Sequence, residues 1–170
     1  MSDMTDRSGT PADIAAERAA IEAEVGRSTL LTAYADTVAA SGGKNISPAQ
    51  IEYELQRHPL IGQACAIGDR RNYVTALIVL DPEVTPKWAR ARGIEASSLA
   101  ELASHHEVLA EVERGVAEAN SHLARVEQVR KFKVLPNEWT AQTGELTPTM
   151  KRRRRVIVER YAREIEQLYQ

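Results

Sequence analysis

The segment Val74–Leu80, with the sequence VTALIVL, constrains the fold more than any other part of the chain. Every residue in it except Thr75 is apolar. A short run that is apolar at both alternating sets of positions is typical of a central strand, buried on both faces. Such a strand needs partner strands at its edges and helices over its faces.

Two other segments have strand character. Residues 63–68 precede the central run, and the polar residues 69–72 between them predict a hairpin turn. Residues 129–135 alternate partly between apolar and polar side chains and end at Pro136, which predicts a third strand.

Helix start signals surround these strands. Ser47 and Gln50 form a capping box, with Pro48 at the first helical position. The helix should run to about residue 57, because the residue before Pro59 avoids helical geometry.

Later segments predict more helices around the sheet. Ser98 and Glu101 form a second capping box, a long helix should occupy about 105–127, and a final helix about 152–168. A loop or small hairpin is predicted around Gly144. The predicted fold class is therefore α+β: a small three-stranded sheet plus a short hairpin, flanked by helices.

The N-terminal quarter differs in character from the rest. Residues 1–10 are polar and predict a disordered tail, and residues 11–40 predict an added helical segment with stretches at 11–25 and 28–39. The pair Gly42-Gly43 then breaks the helical pattern. We therefore expect residues 41–170 to form the main domain.

Composition excludes several classes of protein. Among 170 residues the net charge is −2 and aromatic residues make up 5%, which argues against a nucleic-acid partner. No apolar run is long enough for a membrane span or a signal peptide, so we expect a cytoplasmic protein.

The single Cys65 excludes an internal disulfide, and with four scattered histidines no metal site is expected. The apolar neighbours of Cys65 favour a buried structural thiol over a nucleophile.

Five consecutive cations occupy residues 151–155, here called the basic run. They open the predicted last helix, where the helix dipole makes positive charge unfavourable by a few tenths of a kcal/mol or more. A solvated charged face would explain them, but their cost favours an anionic partner. The preceding turn, Gly-Glu-Leu-Thr-Pro-Thr, would present Lys151 from a defined loop.

A second candidate site lies in SGGKNISP, residues 41–48. Gly42 and Gly43 permit close approach of a ligand, and Lys44 and the following helix start favour an anion. A common Gly-Gly turn before a capped helix explains the same residues.

Together these segments resemble the C-terminal, or lid, domain of AMP-forming acyl-CoA synthetases, especially the long-chain fatty-acid–CoA ligases. The resemblance covers about residues 41–170. Four segments carry it in order: SGGKNISPAQIE (41–52), RHPLIGQACAIGDRRNYVTALIVLD (57–81), VEQVRKFKVLP (126–136) and GELTPTMKRRR (144–154).

The resemblance implies a mechanism in two steps. Such enzymes join a carboxylate to ATP to form an acyl-adenylate, and then transfer the acyl group to coenzyme A. It implies that Lys151 is the catalytic lysine, which contacts the carboxylate and the α-phosphate. It also implies that Gly42, Gly43, Lys44 and Asn45 face the active site during thioester formation.

Arg153 and Arg154 are candidate anion contacts that would raise the local positive potential or bind a nucleotide partner, and as exposed charges they are expected to be partly redundant. The resemblance adds a further expectation. It implies ATP, Mg²⁺ and CoA as reactants, and we expect the chain alone to bind none of them.

The chain also departs from the family pattern. The phosphate-binding loop of the N-terminal adenylating domain does not occur in this sequence. The family's ribose-contacting arginine and its hinge residue correspond to Ala33 and Ala35, and only the acidic Asp36 of that segment is retained.

Three interpretations stay open, the last and weakest being a small nucleic-acid-binding protein that uses the basic run, against which the acidic remainder of the chain and its low aromatic content argue. The first is a stand-alone lid domain that works with a separately encoded adenylating domain and is inactive by itself. The alternative is a non-catalytic interaction module, or a remnant of a split ligase gene, that keeps the fold without the chemistry. Lys151 favours the first, and the alanines at 33 and 35 favour the second.

Overall fold

The computed structural model describes residues 38–39 and 45–170. The predicted tail, the helix at 11–25 and most of the helix at 28–39 lie outside these residues, as do Ala33 and Ala35. The domain boundaries at 10 and 40 stay predictions. The end of the second predicted helix is wrong, because β1 (Val38–Ala39) is a strand that pairs antiparallel with β2 (Asn45–Ile46).

A three-stranded mixed sheet forms the centre of the described region. Its strands are β3 (Ile61–Ile67), β4 (Val74–Leu80) and β5 (Val129–Leu135), in the order β3-β4-β5. The first pair is antiparallel and the second parallel. All three predicted strands are present, and β3 begins two residues earlier than expected.

Six helices surround this sheet within the described residues. They are α1 (Pro48–Gln56), α2 (Val84–Ala91), α3 (Leu99–Ser104), α4 (His106–Ser121), α5 (Arg154–Arg160) and α6 (Ala162–Leu168). The crossover that the parallel β4–β5 pair requires contains α2, α3 and α4. The predicted α+β class is confirmed.

The central strand has apolar neighbours on both faces, as its sequence predicts. Every residue of β4 is buried. Ala76, Ile78 and Leu80 belong to a core cluster that includes side chains of α1 and α4. Leu77 and Val79 belong to a second cluster that includes side chains of α5 and α6. The two-residue period of a strand therefore divides one apolar run between two cores.

Two helix predictions fail at their ends. The long helix stops at Ser121 rather than at 127, where the Asn120 side chain bonds the backbone of Val129 in place of further helical turns. The last helix begins at Arg154 rather than at 152, because Arg152 is in a bridge with Leu146. It is also divided at Tyr161, whose backbone leaves helical geometry.

The two capping boxes differ in outcome. Ser47 is the N-cap of α1 but its side chain makes no capping hydrogen bond. Ser98 does cap α3, since its Oγ accepts a hydrogen bond from the Glu101 N–H at 3.2 Å. The Glu101 carboxylate bonds back to Ser97, one residue earlier than the standard box places it.

Gly62 permits a close backbone approach at the start of the sheet. The β3–β4 register shifts between Ile61 and Gln63, and a Cβ on Gly62 would lie 2.9 Å from the Cα of Asp81. Backbone atoms cannot rotate away as a side chain can. We expect Gly62→Ala to lower the free energy of unfolding by about 1–3 kcal/mol, measured by urea denaturation.

The matched control is Gly93→Asn. A Cβ on Gly93 meets no atom within 4 Å, and asparagine tolerates its positive φ of 72°. Equal losses of stability in the two variants would contradict the steric explanation.

Candidate functional site

The segment that contains Lys151 forms a closed turn, here called the lysine turn (residues 146–152). Leu146 and Arg152 pair as an isolated antiparallel bridge at its base. Inside it, the Thr147 N–H donates to the Lys151 carbonyl at 2.8 Å, and the Lys151 N–H donates to Thr147 Oγ1 at 3.0 Å. The backbone on both sides of Lys151 is therefore fixed by hydrogen bonds.

The backbone geometry at the tip of the turn accounts for the sequence Pro-Thr-Met found there. The Met150 N–H donates to the Thr147 carbonyl at 2.8 Å, which closes a β-turn with Pro148 at its second position, where proline is favoured. Met150 then has a φ of 64°, which is uncommon for a residue other than glycine. A backbone outlier of this kind costs on the order of 1–3 kcal/mol and is concentrated at functional sites.

The Lys151 side chain is exposed at the end of this turn. Among the residues that the structure describes, its ammonium group makes no hydrogen bond or ion pair. A rigid backbone therefore presents a cation that remains available to an external anion.

The basic run does not have one environment. Lys151, Arg153 and Arg155 are exposed, whereas the side chains of Arg152 and Arg154 are only 25% and 23% exposed. Arg155 forms an ion pair with Glu159 at 2.8 Å on the surface of α5. The run therefore alternates between outward and inward cations.

The two inward arginines meet one buried carboxylate. Glu52 of α1 is 1% exposed, and its oxygens lie 2.9 Å from Arg152 Nη2 and 2.6 Å from Arg154 Nη2. Its Oε1 also accepts a hydrogen bond from the Ala66 N–H at 3.0 Å. These three side chains are here called the Glu52 cluster.

The Glu52 cluster corrects the expectation for Arg154. Its side chain is mostly buried rather than exposed, since the guanidinium bonds Glu52, the Ala66 carbonyl at 2.8 Å and the Cys65 Sγ at 3.4 Å. Arg153 is exposed as expected. Part of the negative charge that balances the basic run lies within the same chain. Cys65 is buried, as its apolar neighbours predict.

Sequence reasoning missed Glu52. It lies about a hundred residues from its two partners along the chain, so no local pattern links them. The signal available was weaker: Glu52 directly follows the apolar Ile51 on a helix that buries Ile51 and Leu55 in the core.

The second predicted site is only partly visible. Gly42, Gly43 and Lys44 lie outside the described residues, and of Asn45 the structure describes the backbone, which pairs with Ala39. The structure therefore leaves their predicted role as a prediction. The helix that follows them, α1, is the one that contributes Glu52.

A second buried carboxylate, that of Glu145, lies directly before the lysine turn in the chain. Glu145 is 2% exposed and is paired with Arg160, and the Tyr161 hydroxyl donates to its Oε1 at 3.3 Å. Its carbonyl also accepts a hydrogen bond from the Arg153 N–H at 2.7 Å. Burial alone would raise the pKa of Glu145, but hydrogen bonds with Thr143 and Arg160 hold this pKa below its ordinary value.

The described residues contain neither a cluster of metal ligands nor a helix suited to a membrane. No group of three or more His, Cys, Asp or Glu side chains among them is arranged to hold a metal ion. In the same part of the chain, none of the helices combines the length and apolar character needed to cross a bilayer.

Comparison with known proteins gives a consistent result. Residues 35–170 match the family described as AMP-binding enzyme C-terminal domain. The long-chain-fatty-acid–CoA ligase FadD15 of Mycobacterium tuberculosis is 41% identical over 135 residues, which is 79% of this chain and 22% of that protein. A second relative from that species, fadD11, is 47% identical over 130 residues, 76% of this chain and 23% of its own length.

The chain thus spans less than a quarter of the length of these relatives. Among solved structures, an adenylation and carrier didomain of carboxylic acid reductase from Segniliparus rugosus, in complex with AMP, superposes with a TM-score of 0.61. That match covers 78% of this chain and 17% of the reductase chain at 22% identity, which shows a shared fold.

The low pKa of Glu145 makes stability depend on pH. A carboxyl group whose pKa is lower in the folded state adds stability above its unfolded pKa, and this stability is lost as the pH falls through the folded pKa. Between about pH 7 and about pH 3, we expect Glu145→Gln to lose less stability than the unsubstituted chain, measured by urea denaturation at each pH.

Glu159→Gln is the control, because Glu159 is exposed in its pair with Arg155. That variant should keep the full acid dependence, since exposed pairs contribute little. An unchanged acid dependence in Glu145→Gln would show that Glu145 does not contribute as described.

Proposed function

Because this chain belongs to the family of AMP-binding enzyme C-terminal domains, we propose that it supplies the lysine of a long-chain fatty-acid–CoA ligase and works with an adenylating domain. The observation that carries the proposal is the exposed Lys151 ammonium at the end of a hydrogen-bonded turn. The ligase relatives support the choice of substrate class.

The chemistry needs such a cation. In the first step a fatty-acid carboxylate oxygen attacks the α-phosphorus of ATP, a P–O bond forms, and pyrophosphate leaves. Two anions approach each other, and negative charge builds on the phosphate oxygens. A positioned cation stabilises that charge in the transition state. Lysine suits the task because its ammonium is a compact point charge.

The second step consumes the acyl-adenylate. The CoA thiol, after losing its proton, attacks the acyl carbon, and AMP leaves as the thioester forms. We propose that Gly42, Gly43, Lys44 and Asn45 face the active site in this step, as their match to the family motif implies.

Other residues have supporting parts. Arg153 is exposed beside Lys151 and would raise the local positive potential. Arg154 is bound to Glu52, so we propose that it anchors the segment rather than contacts substrate. The proposed reaction takes ATP, Mg²⁺ and CoA as reactants, as the family resemblance implies. A cytoplasmic location is part of the same proposal.

One observation favours the alternative of an interaction module. Ala33 and Ala35 stand where the family motif has its ribose-contacting arginine and its hinge residue. Neither alanine can bond a nucleotide through its side chain. If these positions are decisive, the chain binds an adenylating domain without contributing to the reaction.

The chain by itself should not form acyl-adenylate. A single lysine cannot position ATP and a fatty acid for reaction. Incubation of the purified chain with palmitate, ATP and Mg²⁺ should release no pyrophosphate above the rate without protein. Release that depends on palmitate would contradict this prediction.

Addition of an adenylating domain should reveal the role of Lys151. FadD15 lacking the segment that aligns with this chain is supplied with the full chain, both as a separate protein and as a fusion. We expect palmitoyl-CoA formation to return, and Lys151→Ala to lower the restored rate about 10²- to 10³-fold. The measurement is pyrophosphate release together with thioester formation.

Arg155→Ala is the control, because the Arg155 side chain is 90% exposed and, among the residues that the structure describes, pairs only with Glu159 on its own helix. It should change the rate little. Domain binding should survive Lys151→Ala, since one exposed cation rarely dominates an interface. Restored activity that is equal with and without Lys151, or no activity in either arrangement, would favour the interaction module.

A further inference from the structure

Arg152 connects the lysine turn to the body of the domain. Its backbone forms the bridge with Leu146, directly after Lys151. Its guanidinium pairs with Glu52 at 2.9 Å and donates to the side-chain oxygens of Gln56 at 2.9 Å and Gln63 at 3.3 Å. One side chain therefore ties the base of the turn to both α1 and β3.

Glu52 holds Arg152 in that place. A buried carboxylate is stable only when cations and hydrogen-bond donors surround it, and Glu52 has both in Arg152, Arg154 and the Ala66 N–H. Because those contacts require a defined geometry, they fix the side chain of Arg152 and with it the backbone next to Lys151.

Arg152 and Arg154 differ in what they fix. Both pair with the same carboxylate, and their side chains are similarly exposed. Arg154 bonds the Ala66 carbonyl and is the first residue of α5, away from the turn. Arg152 alone of the two forms the base of the turn. A function that depends on the turn should therefore depend on Arg152 more than on Arg154.

We propose that the Glu52–Arg152 ion pair positions Lys151 for adenylation. The proposal rests on the proposed function of Lys151. Glu52 and Arg152 are positioning residues, since they act through the lysine turn. The same pair links the turn to α1, the helix that directly follows the Gly42–Asn45 segment in the chain.

Stability alone does not explain this arrangement. Buried ion pairs can often be replaced by packed apolar residues without loss of stability, and we infer that this pair serves to define geometry. Here the defined geometry is that of the lysine turn, which presents the exposed Lys151 directly before Arg152. If the ion pair positions Lys151, its removal should disturb the lysine turn more than the rest of the domain.

The first test needs no partner domain. Hydrogen exchange is measured on the full chain and on the matched variants Arg152→Gln and Arg154→Gln. In Arg152→Gln we expect the Thr147, Met150 and Lys151 amides to exchange about tenfold faster or more, with little change in β4. Arg154→Gln should leave those turn amides nearly unchanged. Equal acceleration in both variants, or acceleration spread evenly over the domain, would overturn the proposal.

The second test uses the ligase restored with truncated FadD15. Arg152→Gln should lower kcat for adenylation by about 10- to 100-fold with a smaller change in the KM for ATP, whereas Arg154→Gln should lower it less. In a Lys151→Ala background, Arg152→Gln should cause almost no further loss, because residues that act as a unit are not additive.

Glu52→Gln extends the test, since it keeps the side-chain shape and removes the charge. If that variant does not fold, the two arginine variants still decide. Independent, multiplicative losses for Lys151→Ala and Arg152→Gln would overturn the positioning role. A Lys151→Ala variant with full activity would instead defeat the proposed function, and the exchange experiment would still show whether the ion pair fixes the turn.

Discussion

The burial of the Glu52 carboxylate is the constraint on which the arrangement of this site depends. Removing such a charge from water is costly unless cations and donors replace the water. Here the replacements come from two distant places, the N–H of Ala66 in β3 and the arginines before and at the start of α5. Satisfying one carboxylate therefore brings α1, β3 and the C-terminal segment together.

The central sheet could be predicted because its signal is local. Burial on both faces makes β4 apolar at every position but one, and Pro136 marks the end of β5. The boundaries that failed depend on tertiary contacts instead. Asn120 ends α4 by bonding Val129, and Arg152 delays the last helix by pairing across the turn. A periodicity within one segment contains no information about such partners.

The candidate site divides in the same way. Lys151 could be singled out because a turn sequence and a motif lie beside it in the chain. The residues that support Lys151 could not be predicted, since neither Glu52 nor the arginines are unusual in the sequence. Their pairing is apparent only in the folded structure. The expectation that Arg154 is exposed was wrong for this reason: a consecutive basic run was treated as one exposed surface, whereas the fold turns alternate residues inward.

That alternation also resolves the apparent cost of five adjacent cations. Arg152 and Arg153 precede α5, so only Arg154 and Arg155 lie in its unfavourable first turn, and each has a carboxylate partner. The two inward cations share the single negative charge of Glu52, and Arg155 is offset by Glu159. Lys151 lies just before these arginines, on a fixed turn and without a carboxylate partner among the described residues. The ion pairs that fix the turn therefore do not involve the ammonium that the turn presents. Lys151 is held in place by its neighbours while its own charge is not neutralised within the described residues.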